Sequence, residues 1–271
     1  MSSRPHHRPR KSLGQNFLVD GNLQRKIVEA VSPEPTDQIL EVGPGRGALS
    51  RHLAGRVREL ILVELDRDLA SALSEEFGSV RGIRVIQGDI LQVGLEEVSS
   101  RVEHLKVVGN IPYNITTPIL FHLLRRPRPM EILLMVQREV ADRILAFPGS
   151  SEFGALSVGV RSVAEVERVL RVPASAFRPV PAVDSQVIRI RPLRPEPLTP
   201  EEESALRILT RSAFQWRRKQ FQTILRGHPD LACSREEVTR LETETGLDLR
   251  QRPETLDPEE FIRLSRALTS F

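Results

Sequence analysis

An alternation of short apolar runs and helix-period segments along the first two-thirds of the chain is the feature that most constrains the fold. The apolar runs are nearly continuous, which is typical of strands covered on both faces of a sheet. They are QILEV (38–42), ELILVEL (59–65), IRVIQ (83–87), LKVVGN (105–110) and EILLMVQ (131–137). Helix-like segments occupy 46–56, 67–77 and 117–125. Strands that alternate with helices are joined by right-handed crossovers, so the pattern predicts a doubly wound α/β sheet with parallel strands.

The chain from residue 165 onward follows a different pattern. Two runs that alternate apolar with charged residues, 165–172 and 185–192, predict an edge hairpin. The proline-rich run 191–200 is typical of a linker, and residues 200–271 carry helix-period patterns without a clear strand. We therefore predict three segments: an N-terminal arm and loop (1–19), an α/β domain (20–192) and a small all-helical domain (193–271).

Charge is spread unevenly along this chain of 271 residues, although the formal net charge is only +3. Between Glu203 and Asp230 there is no acid, and the cations there are Arg207, Arg211, Arg217, Arg218, Lys219 and Arg226. Such a cluster is typical of contact with an anionic polymer, because Arg and Lys release counterions condensed on phosphates. Solvated faces that are clustered only along the sequence would give the same pattern.

Several classes of protein are disfavoured by the composition. No apolar run is long enough to span a bilayer, so we expect no membrane partner. The single cysteine, Cys233, excludes an internal disulfide framework and a thiolate metal cluster, and we expect no metal. The stretch SSRPHHRPRK (2–11) is cationic, but its two prolines oppose the amphipathic helix of a transit peptide. We predict a disordered basic arm in a cytoplasmic protein.

The segment EVGPGRG (41–47) ends the first apolar run and opens a helix. Its glycines permit a tight turn and let a ligand approach the backbone beside a helix N-terminus. The spacing G-x-G-x-G differs from the G-x-G-x-x-G of dinucleotide-binding folds. A ligand-binding turn is therefore favoured, although a structural strand-to-helix turn would also use these glycines.

Acidic residues follow in register with this turn. Glu64 ends the second run, about 20 residues after Gly43, where a carboxylate can accept both hydroxyl protons of a ribose. Asp89, at the tip of the third strand, could accept a proton from an adenine amino group, and Glu41 could face an amino-acid moiety. The carboxyl ends of neighbouring strands meet at one crevice of an open α/β sheet. Together these residues predict an adenosine-containing cofactor.

The fourth run ends in Asn110-Ile111-Pro112-Tyr113, which includes the only tyrosine of the chain. The exocyclic amine of a base is a poor nucleophile, because its lone pair is delocalised into the ring. The Asn110 oxygen and a neighbouring backbone carbonyl could each accept one N–H and aim the lone pair at a methyl group. Pro112 has no N–H to compete, and Tyr113 offers a face for stacking worth roughly 1–3 kcal/mol. The tetrapeptide predicts a methyl-acceptor site; an Asn-Pro turn beside a core tyrosine is the structural alternative.

Six segments in this order resemble the ribosomal RNA adenine dimethyltransferases, in particular the bacterial small-subunit type. They are GQNFL (14–18), EVGPGRG (41–47), VELDRDL (63–69), GDI (88–90), GNIPYNITTPIL (109–120) and FRPVPAVDS (177–185). The resemblance spans about residues 10–271. It implies a Rossmann-like class I methyltransferase with a mostly parallel seven-stranded sheet and a helical C-terminal domain.

The resemblance also implies an activity. The methyl donor would be S-adenosylmethionine, and the acceptors would be the N6 amines of two adjacent adenosines near the 3′ end of 16S rRNA. Dimethylation would take place on the immature small (30S) ribosomal subunit during ribosome biogenesis, and we expect a monomeric, RNA-binding enzyme.

Site residues are implied at the positions that match the family motifs. For the cofactor they are Asn16, Leu18, Gly43, Glu64, Asp89 and Asn110. For catalysis they are Asn110, Pro112 and Tyr113, with Tyr113 and Phe177 stacking on the target base. For RNA binding they are Arg217, Arg218 and Lys219.

Two alternatives to this function remain open on the sequence. One is the related methyltransferase of large-subunit RNA, although the 177–185 loop favours the small-subunit type. The other is a ribosome-assembly or transcription factor that binds nucleic acid without catalysis. Two residues depart from the family pattern: Ala182 replaces a frequent lysine, and Trp216 either packs in the core or stacks on RNA.

Overall fold

The computed structural model describes residues 14–269, so the predicted basic arm (2–11) lies outside the described residues. The strands are β1 (Phe17–Leu18), β2 (Gln38–Val42), β3 (Glu59–Glu64), β4 (Ile83–Gln87), β5 (Leu105–Asn110), β6 (Glu131–Gln137), β7 (Ala164–Val172), β8 (Phe177–Arg178) and β9 (Ser185–Pro192). The helices are α1 (Gly21–Val31), α2 (Ser50–Leu53), α3 (Arg67–Phe77), α4 (Leu95–Val98), α5 (Thr116–Leu123), α6 (Arg138–Leu145), α7 (Ala155–Arg161), α8 (Pro200–Gln215), α9 (Phe221–Gly227), α10 (Arg235–Thr245) and α11 (Pro258–Thr269).

Seven strands form one sheet in the order β4-β3-β2-β5-β6-β9-β7. The neighbours from β4 to β6 are parallel, and β9 runs antiparallel to β6. The predicted Rossmann-like, mostly parallel seven-stranded sheet is confirmed. The chain moves outward from β2 through β3 to β4 and then returns to place β5 on the other side of β2. This reversal opens a crevice at the carboxyl ends of β2 and β5, the usual ligand position in such sheets.

Four of the five predicted core strands have the predicted bounds, and β3 ends one residue earlier than expected. The predicted helix over 46–56 is reduced to α2, because the glycine turn extends to Gly47 and Gly55 adopts a φ of +75°. Of the predicted edge hairpin, β9 is an internal strand and only β7 lies at the edge. The short antiparallel pair β1–β8 was not predicted, since two residues carry no periodicity.

Local chemistry explains where the two helices beside the crevice begin. The Asp20 carboxylate accepts hydrogen bonds from the backbone N–H groups of Asn22 and Leu23, and so caps α1. Asp66 caps α3 in the same way, and each such cap contributes about 1 kcal/mol. Every residue of β2 is buried, and helices pack on the sheet around this strand. The central strands are therefore rigid supports for the side chains at their carboxyl ends.

Contacts divide the chain into two compact units. The first unit contains residues up to 141 together with 167–192, and the second contains 142–166 together with the chain from 193 onward. The linker expected near 191–200 thus begins at the division between units, whereas residues 142–166 join the helical unit rather than the α/β unit. Phenylalanines explain this grouping: Phe153 packs edge-on against Phe214, and Phe214 stacks on Phe261 with centroids 5.8 Å apart. None of the described helices is long and apolar enough to cross a membrane.

Candidate active site

A cavity of about 290 Å³ lies at the carboxyl ends of β2, β3 and β5. Its walls include the glycine turn, Glu41 and Glu64, the segment from Gly14 to Val19, and residues from Asn110 to Tyr113. Strand register brings these parts together, because Val42 of β2 lies opposite Val63 of β3 and Gly109 of β5. The segments that the sequence predicts to bind a cofactor and an acceptor amine therefore line one cavity.

The glycine turn requires its glycines at specific positions. Gly43 and Gly45 adopt φ angles of +65° and +59°, a left-handed conformation that side-chain-bearing residues rarely adopt. A Cβ at Gly43 would lie 3.4 Å from the carbonyl oxygen of Asn110, in the space between the turn and β5. A Cβ at Gly45 would come within 3.1 Å of the Phe17 ring. At Gly43 and Gly45 the turn therefore presents bare backbone to the cavity, between the side chains of Pro44 and Arg46.

Glu64 connects β3 to this turn. Its Oε2 accepts a hydrogen bond of 2.9 Å from the Gly45 backbone N–H, and its Oε1 accepts one of 2.9 Å from the Asp66 N–H. The side chain is buried, and this burial raises the pKa of its carboxyl group above the ordinary value. Each carboxylate oxygen has a second lone pair. Glu64 can therefore hold the turn and still accept a hydroxyl hydrogen bond from a ribose.

Glu41 is the more strongly perturbed acid of the cavity wall. It is 2% exposed, and the Ser50 hydroxyl donates a hydrogen bond of 2.7 Å to its Oε2. Burial, reinforced by the nearby charge of Glu64, raises the pKa of Glu41 to about 7. A carboxyl group that changes charge near neutral pH would respond to a cationic ligand in the cavity.

Asn110 is oriented by the segment that precedes β1. Its Nδ2 donates a hydrogen bond of 3.0 Å to the backbone carbonyl of Asn16. The amide N–H is thus used within the protein, and Oδ1 remains the acceptor end of the side chain. Asn16 in turn is held by its own Nδ2, which donates to the carbonyl of Gly14. The structure thus brings Asn16 and Asn110, both predicted to contact the cofactor, into direct contact.

Tyr113 is fixed at its hydroxyl end. Its Oη lies 2.7 Å from the hydroxyl oxygen of Ser185, the fully buried first residue of β9. Partial burial raises the pKa of the Tyr113 phenol. Pro112 also lines the cavity and carries the carbonyl that accepts from the Ile115 N–H in the following turn. The ring of Tyr113 is therefore anchored at the acceptor side of the cavity.

Other site predictions have a different outcome. Phe177, predicted to stack on the target base, is fully buried in the core with Leu18, with no ring face exposed for stacking in this structure. Phe177 is itself the first residue of β8 and pairs with Leu18 of β1, and its stacking on the target base stays a prediction. Asp89 lies outside the residues that line the described cavity, and its carboxylate caps the turn at Leu91. Leu18 does line the cavity, and its carbonyl accepts from Gln24 Nε2.

The predicted RNA-binding cations separate into two kinds. Arg217 donates to the carboxylate of Glu254 and to the backbone carbonyls of Ser150 and Ser151, so it joins parts of the helical unit. Arg218 and Lys219 are exposed, and within the described chain no hydrogen bond or ion pair holds their side chains. An RNA-binding role therefore fits Arg218 and Lys219 better than Arg217.

Some lining residues were missed by the sequence reasoning. Gln15, Gln24, Arg46 and Arg51 also contribute to the cavity wall. Gln15 and Arg46 lie inside the motifs quoted above, and that position could have identified them as cavity residues from the sequence. Gln24 and Arg51 lie on α1 and α2, where only the packing of those helices on the sheet brings them to the cavity. Among the described residues there is no group of three or more His, Cys, Asp or Glu that could hold a metal ion.

A glycine-rich turn, an acid at the tip of the next strand and an asparagine-proline-tyrosine segment around one cavity define a Rossmann-like, S-adenosylmethionine-dependent methyltransferase. The family model described as "Ribosomal RNA adenine dimethylase" matches residues 6–269. The chain belongs to this family.

Individual relatives agree with this membership. "Ribosomal RNA small subunit methyltransferase A" of Moorella thermoacetica is 43% identical, over 96% of this chain and 92% of the relative. The protein of the same description in Pseudomonas savastanoi pv. phaseolicola is 38% identical, over 99% and 98%.

Solved structures show the same architecture. The 23S rRNA methyltransferase ErmE has a TM-score of 0.69 and 28% identity, over 94% of this chain and 100% of that chain. A dimethyladenosine transferase from Plasmodium falciparum has a TM-score of 0.77 at 24% identity, over 92% and 95%, and this likeness concerns the fold.

Proposed function

We propose that this protein transfers methyl groups from S-adenosylmethionine to the N6 amines of two adjacent adenosines near the 3′ end of 16S rRNA. The observation that carries the proposal is the orientation of Asn110. Its N–H donates to Asn16, so its oxygen is the end that can accept from an amine, and it lies between the glycine turn and Tyr113.

The residues of the cavity fit the methyl donor. The turn at Gly43 leaves space that a Cβ would fill, and Glu64 retains acceptor capacity for the two ribose hydroxyls. Glu41 and Glu64 provide two acids beside a ligand that carries positive charge. Asn16, Leu18 and Asn110 would complete the donor pocket. Asp89 would contact the adenine only if its side chain left the Leu91 cap. When bound, the donor supplies a methyl group on a sulfonium whose neutral thioether leaves without needing a proton.

The acceptor side would work by orientation rather than by strong base catalysis. Asn110 Oδ1 accepts one amine N–H, and a backbone carbonyl beside Pro112 accepts the other, which directs the nitrogen lone pair at the methyl carbon. The N–C bond forms as the C–S bond breaks, and the amine then loses a proton to water. A monomethylated amine still has one N–H to donate, so a second transfer can use the same acceptors.

Extrusion of the base from its stack costs a few kcal/mol. Stacking on the anchored ring of Tyr113 offsets much of this cost, at roughly 1–3 kcal/mol. Arg218 and Lys219 would contact the phosphates of the RNA. We further infer that the substrate is the immature 30S subunit, and that the protein acts as a cytoplasmic monomer.

The Asn110→Ala variant tests the proposal. We expect it to lose methyl transfer to unmethylated small subunits by at least about 100-fold, because the amine loses the acceptor that orients it. Donor binding should be largely retained, since Glu64 and the glycine turn are unchanged. The matched control is Asn22→Ala, which removes an exposed asparagine at the start of α1. Labelled donor followed by nucleoside analysis for dimethyladenosine gives the activity.

Binding is measured separately, as the rise in melting temperature caused by S-adenosylmethionine. A ligand at about 100 times its Kd stabilises the folded protein by about 2.7 kcal/mol. Near-wild-type dimethylation by Asn110→Ala would contradict the mechanism. An absence of stabilisation by the donor would instead favour a binding protein without catalysis. Transfer to large rather than small subunits would favour the reaction named for ErmE.

A further inference from the structure

We propose that Trp216 forms a stacking site for an unpaired RNA base in the helical unit, a site separate from the cavity that takes the target adenosine. The proposal rests on the proposed RNA substrate. Trp216 follows α8 directly and is the only tryptophan of the chain. The residue is 36% exposed, although a tryptophan is normally well buried, so it is not enclosed in the core.

The indole is held in place by the residues beneath it. A Cβ on Gly227 would lie only 3.1 Å from Cζ3 of Trp216, so the glycine lets the ring approach the backbone at the end of α9. The His228 ring packs against the indole in a T-shaped arrangement with centroids 5.3 Å apart. These contacts cover part of the indole and leave the rest facing solvent.

His228 is itself oriented by hydrogen bonds. Its Nδ1 accepts from the backbone N–H of Asp230, and its Nε2 donates to Oε1 of Gln215 at 2.8 Å. The support of the indole is thus fixed before any ligand arrives. An aromatic group that is already ordered loses little conformational entropy on binding, which favours its use as a stacking platform.

A concavity of about 320 Å³ lies beside the ring and is lined by residues 215–219. Arg218 and Lys219 belong to this wall and are exposed, whereas the third cation, Arg217, is neutralised by Glu254. Two exposed cations next to a partly exposed indole match a single-stranded nucleic acid, whose bases stack while its phosphates meet positive charge. The occupant that this combination fits is an unpaired base of RNA together with its flanking phosphates.

Charge elsewhere in the helical unit agrees with this occupant. Arg207 and Arg226, which lie on α8 and α9, are also exposed. The stretch from 204 to 229 contains no acidic residue, so no carboxylate of the same segment would repel phosphates.

Tryptophan emission provides the test, because Trp216 alone produces it. We expect a short single-stranded RNA of mixed sequence to quench this emission in a saturable manner, without methyl donor present. A duplex of the same sequence should quench much less, since its bases are stacked inside the helix. Because the Trp216 variants lack this emission, their affinity is measured by the fluorescence anisotropy of an end-labelled single strand. Trp216→Ala should weaken binding of the single strand by roughly 5- to 150-fold, and Trp216→Phe should retain most of the affinity.

The matched control is Phe147→Ala, which removes a 73% exposed aromatic side chain from the same compact unit. It should bind the RNA like the wild type. With unmethylated small subunits, Trp216→Ala should raise KM and leave kcat nearly unchanged, because the indole does not touch the reacting atoms. Circular dichroism of each variant verifies its fold.

Three outcomes would overturn the stacking site: no quenching by single-stranded RNA, equal quenching by the duplex, or unchanged affinity of Trp216→Ala. Quenching only by a polyanion without bases, such as heparin, would also overturn it in favour of simple charge attraction. These results are distinct from a failure of the proposed methyl transfer, which would leave quenching intact and abolish dimethyladenosine formation.

Discussion

Replacing Glu41 by glutamine should make the protein more stable at alkaline pH. Burial raises the pKa of this carboxyl group from 4.5 to about 7, so the folded state holds a proton that the unfolded chain releases at lower pH. For an acid whose pKa is higher in the folded state, the free energy of unfolding falls as pH rises from the unfolded to the folded pKa. The affected window therefore runs from about pH 4.5 to about pH 7.

The size of the stability change follows from the difference between the folded and unfolded pKa of Glu41. Each pH unit corresponds to about 1.4 kcal/mol, so the wild type should lose about 3 kcal/mol across the window. Glutamine has nearly the same shape and can still accept the Ser50 hydrogen bond through its amide oxygen. It also removes the carboxylate whose pKa the nearby charge of Glu64 helps to raise. At about pH 8 the Glu41→Gln variant should exceed the wild type by about 2–3 kcal/mol, and below about pH 5 by less than about 1 kcal/mol.

Urea unfolding followed by circular dichroism, without methyl donor, measures the difference at the two pH values. Glu34→Gln is the matched control, because Glu34 is an exposed glutamate of the same unit. It should leave the free energy of unfolding within about 0.5 kcal/mol of the wild type at both pH values. The reasoning is refuted if Glu41→Gln is destabilised at alkaline pH, or if its advantage is the same at both pH values.

Two further predictions concern the glycine turn and Arg217. Gly43→Ala should cost about 1–2 kcal/mol of stability, because an alanine at a φ of +65° is strained. It should also reduce the rise in melting temperature that S-adenosylmethionine causes. A rise equal to that of the wild type would show that this face of the turn does not contact the ligand. Arg217→Ala should lower the free energy of unfolding by about 1–3 kcal/mol, because the partly exposed guanidinium bonds Glu254, Ser150 and Ser151. Arg218→Ala, at the neighbouring position, should leave stability unchanged and lower the slope of log K for RNA binding against log[salt] by about one. Equal effects of the two variants on the melting temperature would contradict the assignment of Arg217 to structure and Arg218 to RNA binding.

The sequence predicted those site residues that lie at the end of a strand or within the few residues after it. Gly43, Glu64 and Asn110 come to one cavity because parallel strands place their carboxyl ends at one edge of the sheet, and the strand pattern was strong. Asn16 was placed by family resemblance, and its carbonyl does meet the Asn110 amide. The buried state of Phe177 was not predictable from its motif, because burial depends on the β1–β8 pair and the core around it.

The sequence by itself determined the parallel α/β core and the helical C-terminal region. It also determined the two motifs of the methyl-transfer site, EVGPGRG (41–47) and the tetrapeptide 110–113. Hydrophobic periodicity and local turn chemistry act over a few residues, so a single chain segment specifies them. Only the tertiary structure decided which side chains remain accessible to a ligand. It occupies Arg217 with Glu254, encloses Phe177 in the core, and leaves Trp216 exposed above Gly227. Each of these outcomes depends on partners distant in sequence, whose positions are set by packing rather than by the local pattern.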